Sequence, residues 1–321
     1  MPIIEYDRGI RISGTPLWLD AEKRVPFSFI SHAHSDHVRR HDKIIATPAT
    51  VSLVHLRFKK QEAIALNFGE KYRIDDATIE LFPAGHVLGS AQIFIQKEHL
   101  NIIYTGDFKI DRNETTLPAT FRSADILIME STFGSPEFRF PKKYVIVEKM
   151  VQFIEKCFQR GQVPIVMGYR LGKAQEAIKI LGDLNYQISV HSSIEPVLKI
   201  YEQHGVKFNN YQAFTGEDLR GKVLVIPPHL SRSHQIKKIY NAKKLLLSGW
   251  AVNNKVGYWY DVDEAIPFSD HADYRQLIEY VHKVNPQKIF VTHGVESFVH
   301  DLRREGFDAD FFHPTPQMSL F

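Results

Sequence analysis

A chain of 321 residues, 44% hydrophobic, is long enough for one large or two medium domains and apolar enough to bury a real core. Its net charge of +3, with Lys and Arg spread along the sequence, neither demands nor excludes a polyanionic partner. Cys157 is the single cysteine, which excludes an intramolecular disulfide and a thiolate metal cage, so any metal must be held by histidine and carboxylate.

No run of eighteen apolar residues occurs, and Met1 to Arg8 is polar and charged where a signal peptide needs an apolar centre. A cytoplasmic protein with no membrane partner is expected. In chain order, β-rich runs fall at Phe27 to Ser31, Lys43 to Ala46, Thr78 to Phe82, Gln92 to Gln96, Asn101 to Thr105 and Asp125 to Met129. Turns separate them and few segments carry helical period, which predicts a β-meander with sparse helices. From about Tyr144 strands alternate with amphipathic helices, at Glu148 to Arg160, Val163 to Met167, Gly172 to Leu181 and Ile188 to His191. That is the texture of an α/β unit with parallel strands. After Lys244 come two strand-then-helix units, Ala265 to Phe268 with Ala272 to Lys283, and Lys288 to Thr292 with Glu296 to Gly306.

The densest chemistry is Ser31-His32-Ala33-His34-Ser35-Asp36-His37, directly after the apolar run Phe27 to Ile30. In an extended segment His32 and His34 point to one side and can close on one ion, while a turn at Ser35 swings Asp36 and His37 toward a second. A polar surface loop is the competing reading, disfavoured by four ligand side chains at this spacing after a buried strand.

The motif resembles the HxHxDH signature of the metallo-β-lactamase superfamily, whose other elements follow in order. Asp20, in Leu17-Trp18-Leu19-Asp20, resembles the buried aspartate that steadies the histidine loop. His86, in Pro83-Ala84-Gly85-His86-Val87-Leu88-Gly89-Ser90, matches the third histidine ligand, and Asp107, in Tyr104-Thr105-Gly106-Asp107-Phe108, matches the bridging carboxylate. Glu130 in Glu130-Ser131-Thr132-Phe133-Gly134, His271 in Phe268-Ser269-Asp270-His271-Ala272-Asp273-Tyr274, and His293 in Phe290-Val291-Thr292-His293-Gly294 resemble the motifs that mark the nucleic-acid-cutting β-CASP branch. Gly168 to Glu176 resembles the strand-to-helix turn that opens the inserted domain of that branch.

The resemblance implies an α/β protein, a metallo-β-lactamase αββα sandwich carrying an inserted α/β β-CASP domain. Residues 1–140 and 246–321 would form the sandwich and 141–245 the insertion. It implies two divalent metal ions, zinc first, with manganese able to use the same ligands. His32, His34 and His86 would hold one ion, Asp36, His37 and His293 the other, with Asp107 between them. The two ions would generate the attacking hydroxide. His271, held by Glu130, would protonate the departing sugar oxygen, so Glu130 and His271 join Asp20 as the catalytic set.

Within the branch, the closest resemblance is to prokaryotic ligase-associated DNA exonucleases, carried by the motifs around His32, His86 and His271 together with Thr132-Phe133-Gly134-Ser135-Pro136 and Ser248-Gly249-Trp250. It implies a metal-dependent nuclease of DNA repair or replication-linked processing, functionally linked to DNA ligase. An RNA-processing β-CASP ribonuclease is the alternative, because a histidine at His293 is shared with RNA-processing members. A small-molecule metallo-hydrolase such as a lactonase leaves Glu130, His271 and the insertion without a role. Cations and aromatics that could track a nucleic-acid backbone are Arg139 with Phe138, Tyr169 with Arg170 and Lys173, Arg232, and Trp250.

The tail Gln317-Met318-Ser319-Leu320-Phe321, after Pro314-Thr315-Pro316, resembles the short bacterial sliding-clamp-binding peptide. Met318, Leu320 and Phe321 would fill apolar pockets while Gln317 makes orienting hydrogen bonds.

Overall fold

The computed structural model describes residues 3–252 and 261–312. Two units emerge, the first built from Met1–Phe138 and His271–Phe321 and the second from Arg139–Asp270. The tail residues Gln317, Met318, Leu320 and Phe321 lie outside the described residues.

In the first unit one sheet runs in chain order through β1 (Ile4–Tyr6), β2 (Ile10–Ile12), β3 (Leu17–Leu19), β4 (Phe27–Phe29), β5 (Lys43–Ala46) and β6 (Glu62–Ala65). Its first three strands are antiparallel and β3 through β6 are parallel. A second sheet holds β7 (Lys71–Ile74), β8 (Ala77–Pro83), β9 (Ala91–Lys97), β10 (Leu100–Tyr104) and β11 (Ile126–Ser131), joined by β18 (Lys288–Gly294) and β19 (Ala309–Phe311) from the returning chain. Of the runs read as a meander, only those of β8 through β10 pair that way, with β7 added ahead of them. From β10 to β19 the pairing is parallel, and parallel neighbours cannot be joined by hairpins.

Burial follows from these patterns. β8 alternates buried and half-buried residues, whereas all of β11, in the middle of the sheet, is buried, as a strand covered on both faces must be. The inner faces of the two sheets meet in one apolar core that includes Ile12, Leu17, Leu19 and Phe29 from one and Ile79, Ile93, Ile95 and Tyr104 from the other. Helix Pro48–Arg57 covers the outer face of the first sheet through Val54, against Ile30 and Ile44. Helices Tyr274–Val284 and Glu296–Arg304 cover the second through Leu277, Tyr280 and Phe298, against Leu127, Met129 and Ile289. Helix, sheet, sheet and helix are the four layers expected of the αββα sandwich.

The second unit is a parallel sheet ordered β14 (Tyr211–Ala213), β13 (Gln187–Val190), β15 (Lys222–Ile226), β12 (Val163–Met167), β16 (Ala242–Leu247), β17 (Glu264–Ile266). Helices Lys143–Gln159, Lys173–Asp183 and Glu195–Gln203 bury Met150, Ile154, Ile178, Leu181 and Leu198 against one face. Phe214, Leu219 and Ile236 pack on the other. The return to the first unit comes at His271 rather than at residue 246. The reason is pairing: β16 lies beside β12 and β17 beside β16, so both extend the second unit's sheet. Among the described residues no helix is long and apolar enough to cross a membrane.

Candidate metal centre

The metal ligands expected from sequence all belong to the first unit, His293 near the end of β18 and the others on loops that follow strands. After β4 the chain leaves the sheet at Ile30 and enters the histidine loop, whose position Asp20 sets. The Asp20 carboxylate accepts hydrogen bonds from the Ser31 amide (2.8 Å), the Ser31 hydroxyl (2.5 Å) and the Tyr104 hydroxyl (2.9 Å), and lies 2.8 Å from His37 Nδ1. Asp20 itself sits at φ 43, a left-handed conformation that costs about 1 kcal/mol in a non-glycine residue and is offset by those contacts. Gly106 closes the other side: a Cβ there would stand 2.5 Å from Ser31 Cβ.

The His86 loop is pinned from outside. Thr47, the N-cap of helix Pro48–Arg57, and Thr50 in its first turn both donate their hydroxyls to the Gly89 carbonyl, at 2.6 and 2.9 Å. Within the loop Ser90 Oγ accepts from the amides of His86 and Val87. That helix was not expected from sequence, although Thr47-Pro48 is a start signal of N-cap followed by proline.

These supports bring four side chains to one focus. His34 Nδ1 lies 3.1 Å from His32 Nε2 and 3.0 Å from His86 Nε2. Asp107 Oδ2 is 3.4 Å from His32 Nε2, 3.4 Å from His37 Nε2 and 3.7 Å from His86 Nε2. His32, His34, His86 and Asp107 each offer a ligand atom within 4.8 Å of the others. His32 Nδ1 rests 2.9 Å from Ser31 Oγ and His37 Nδ1 on Asp20, which turns Nε2 of both rings toward Asp107. The set of nitrogen and oxygen donors, with its orienting partners, fits zinc or manganese.

Electrostatics favour that fit at His32 and Asp107, while His37 must give up a proton to ligate. Burial and the neighbouring His37 push the His32 imidazole well below its ordinary pKa, so it is neutral and able to ligate. Burial opposes charge on His37, but Asp107 and Asp20 hold its pKa well above the usual value. Burial also opposes ionisation of Asp107, yet His37, His271 and His32 keep its carboxyl well below the usual carboxylate range.

The second expected ligand set is looser. Asp36 Oδ2 is 3.8 Å from His37 Nε2, and the His37 and His293 ring centroids are 5.5 Å apart. His293 is exposed at φ 48, just past a register shift between β11 and β18 at Glu130 and Ser131. Among the described residues Asp36, His37 and His293 do not form a group as tight as the first.

Glu130 and His271 do meet. His271 Nδ1 lies 3.0 Å from Glu130 Oε1 and 3.1 Å from Oε2. Glu130 is buried and accepts the Phe108 amide at 2.9 Å and the Thr132 amide at 3.3 Å. The Ala272 amide donates to the Phe108 carbonyl at 2.7 Å, which fixes His271 beside Asp107. Its ring stands 4.5 Å from that of His86, centroid to centroid. Asp107, Glu130 and His271 also form a group with ligand atoms within 4.8 Å.

Of the expected substrate-tracking residues, Phe138 belongs to the first unit and is buried, and the others lie in the second unit. Arg139, Arg170, Arg232 and Trp250 are exposed and Tyr169 is half-buried. Lys173 corrects the expectation: it is buried, ion-paired with Asp270, and stacked 5.0 Å from the Tyr169 ring, so its charge serves the interior.

The family described as Zn-dependent metallo-hydrolase RNA specificity domain matches residues 264–310. The chain is 34% identical over 310 residues to a probable DNA ligase of Opitutus terrae, covering 95% of this chain but only 30% of that protein. It is 24% identical over 351 residues to an RNase J-like protein of Methanocaldococcus jannaschii, covering 85% of this chain and 82% of that one. The DNA cross-link repair protein SNM1 of Arabidopsis thaliana is 24% identical over 319 residues, covering 88% and 65%. A crystal structure of a protein of unknown function from Enterococcus faecalis shares the fold, with a TM-score of 0.62 at 15% identity over 89% of this chain and 79% of that one. Taken with the four layers and the order of the motifs, these likenesses make the chain a member of the β-CASP family of metallo-β-lactamase-fold proteins.

Proposed function

We propose that the chain is a metal-dependent phosphodiesterase that degrades DNA, an exonuclease of repair or replication-linked processing. The observation that carries this reading is the Glu130–His271 pair set beside the His32, His34, His86 and Asp107 cluster. Hydrolysis of a phosphodiester needs both an activated water and a proton for the departing sugar oxygen, and the two groups of residues divide those tasks.

The cluster would supply, once loaded with divalent cations, the acidity that makes water a nucleophile near neutral pH and positive charge to offset that on the phosphoryl oxygens. His32, His34, His86 and Asp107 would hold the first ion, and Asp36, His37, His293 and Asp107 a second. Asp20 keeps the histidine loop in register through Ser31 and His37. Glu130, itself fixed by two backbone amides, orients His271 through Nδ1, which makes Nε2 the nitrogen that exchanges a proton with substrate. Arg139, Arg170 and Arg232, with Tyr169 and Trp250, supply cations and aromatic faces for the strand.

DNA is favoured because the likeness to the probable DNA ligase spans nearly the whole chain at 34% identity, against 24% for the RNase J-like protein. An RNA substrate is the second reading, favoured by the description of the family that matches residues 264–310, the stretch holding His271 and His293. The deciding experiment supplies DNA and RNA strands, labelled separately at each end, with zinc and manganese in turn. DNA shortened from one end is the expected result. Preferential loss of RNA overturns the DNA assignment, and ester hydrolysis with neither strand cut returns the site to small-molecule chemistry.

The tail Gln317–Phe321 extends this reading to a partner, a sliding clamp that would bring the nuclease to replicating DNA. Its deletion should abolish clamp binding in a calorimetric titration and leave cleavage of free DNA intact. Absence of binding by the full chain removes the clamp from the proposal.

A further inference from the structure

Residues bordering the metal loop carry a concentration of positive charge that no carboxylate among the described residues neutralises. Two segments far apart in sequence, 39–41 and 57–61, are stitched together by Gln61, a buried side chain whose Oε1 accepts the His41 amide at 3.1 Å and whose Nε2 donates to the His41 carbonyl at 3.0 Å. That pairing holds together the two segments that carry Arg40 and Lys60, the residues before each partner. Arg39 and Arg57 converge on a second point: their Nη1 atoms donate to the carbonyl of Ser35 at 2.5 and 3.4 Å. Ser35 stands between the candidate ligands His34 and Asp36.

Arg39, Arg40, Arg57, Lys59 and Lys60 are thus gathered on the rim of the metal loop, and all but the half-buried Arg39 are exposed. None of the five forms an ion pair among the described residues. The carboxylates that bracket them in sequence are engaged elsewhere, Asp42 with Arg24 at 2.6 Å and Glu62 with Lys43 at 2.9 Å. No acidic residue occurs from 43 to 61. Like charges held this close repel, and an anion arriving from solvent relieves the repulsion.

We propose that this ridge is a phosphate track: it binds the backbone of the nucleic-acid strand next to the scissile phosphate and feeds the strand to the metal loop. The inference rests on the nuclease reading above and extends it to residues of the first unit. Arg39 and Arg57 act doubly, since the guanidiniums that would meet phosphate also hold the Ser35 carbonyl, coupling strand binding to the loop that carries His34 and Asp36. The interactions are those of point charges with a backbone, without a base-reading element, so the track carries no sequence preference.

The test compares the native protein with Arg40→Ala, Lys59→Ala/Lys60→Ala and Arg57→Ala. The first probe is a phosphorothioate DNA strand, which keeps the backbone charge and resists cleavage, titrated by fluorescence anisotropy over a range of salt. The double variant should bind roughly tenfold more weakly at low salt, and the slope of log affinity against log salt should flatten by about 0.7 for each phosphate that the variant no longer neutralises. The second readout is kcat/KM on cleavable strands of increasing length, where the deficit should grow with length and fall on KM.

An unchanged salt slope overturns the track, as does a deficit that is the same on every length. A fall in bound metal or in melting temperature in Lys59→Ala/Lys60→Ala, at two exposed positions, also overturns it, assigning the ridge to loop architecture. A native protein that binds with a steep salt slope, flattened by the variants, yet cuts no strand keeps the track and overturns the nuclease reading.

Discussion

One carboxylate, Asp20, carries the orientation of the metal loop, because its two oxygens are shared among Ser31, His37 and Tyr104. Tyr104 is fully buried, and its hydroxyl pKa is pushed well up by burial and by Asp20, so it remains a donor throughout the working range. Glu130 plays the same part for His271. Substitutions therefore divide by which group they touch. His271→Ala leaves the His32, His34, His86 and Asp107 donors in place and should lose turnover by about a hundredfold or more while metal content stays at the native level. His34→Ala removes the nitrogen that lies within 3.1 Å of both other rings and should lose metal and turnover together. Plasma emission analysis of the two purified variants beside their rates checks this, and depleted metal in His271→Ala would move that residue into the ligand set.

At the scale of elements, the sequence was most legible where a local signal and burial agree. Helix Tyr274–Val284 shows it: Asp273 caps the first turn with Gln276 reciprocating, and Leu277, Tyr280, Val281 and Val284 recur at helical spacing on the buried face. β5 and β12 have the bounds their apolar runs suggested. Helix Pro48–Arg57 was missed because its apolar residues barely separate into faces, so only the Thr47-Pro48 start signal could have revealed it. The strained turns at Asp20 and His293 are set by tertiary contacts, and a lone sequence carries no trace of those. Some element contacts are electrostatic. Glu217 lies between β13 and β14, bonded to Ser189 Oγ at 2.6 Å, the Thr215 amide at 2.8 Å and Gln212 at 3.2 Å. Burial works against its charge, but those donors lower its pKa from 4.5 to about 2. A depressed folded pKa contributes stability that is present above the unfolded value and fades as pH falls through the folded one. Glu217→Gln should then destabilise the second unit by about 1 kcal/mol at neutral pH, a gap that narrows between pH 4.5 and 2 in urea titrations.

The whole molecule is one chain that leaves its first unit at Arg139 and comes back at His271, and the metal ligands expected from sequence sit on the first. The return point was misplaced by sequence because β16 and β17 are short apolar runs like those of either unit, and only their partners assign them. Each unit has a core of its own, so each can have its own unfolding equilibrium. A ligand that binds the folded state of one unit raises the stability of that unit alone, by RT ln(1 + [L]/Kd). For metal at roughly a hundredfold excess over Kd this is about 2.7 kcal/mol, enough to move a melting transition by several degrees. Calorimetry of the protein with zinc, and again after chelation, should therefore show two transitions of which chelation lowers one. Leu198→Ala, which opens a cavity in the core of the second unit, should lower the other by about 2–5 kcal/mol and leave metal content unchanged. A single transition that shifts as a whole under both treatments would mean that the units unfold together, and metal loss in Leu198→Ala would mean that the second unit helps to hold the ligands of the first.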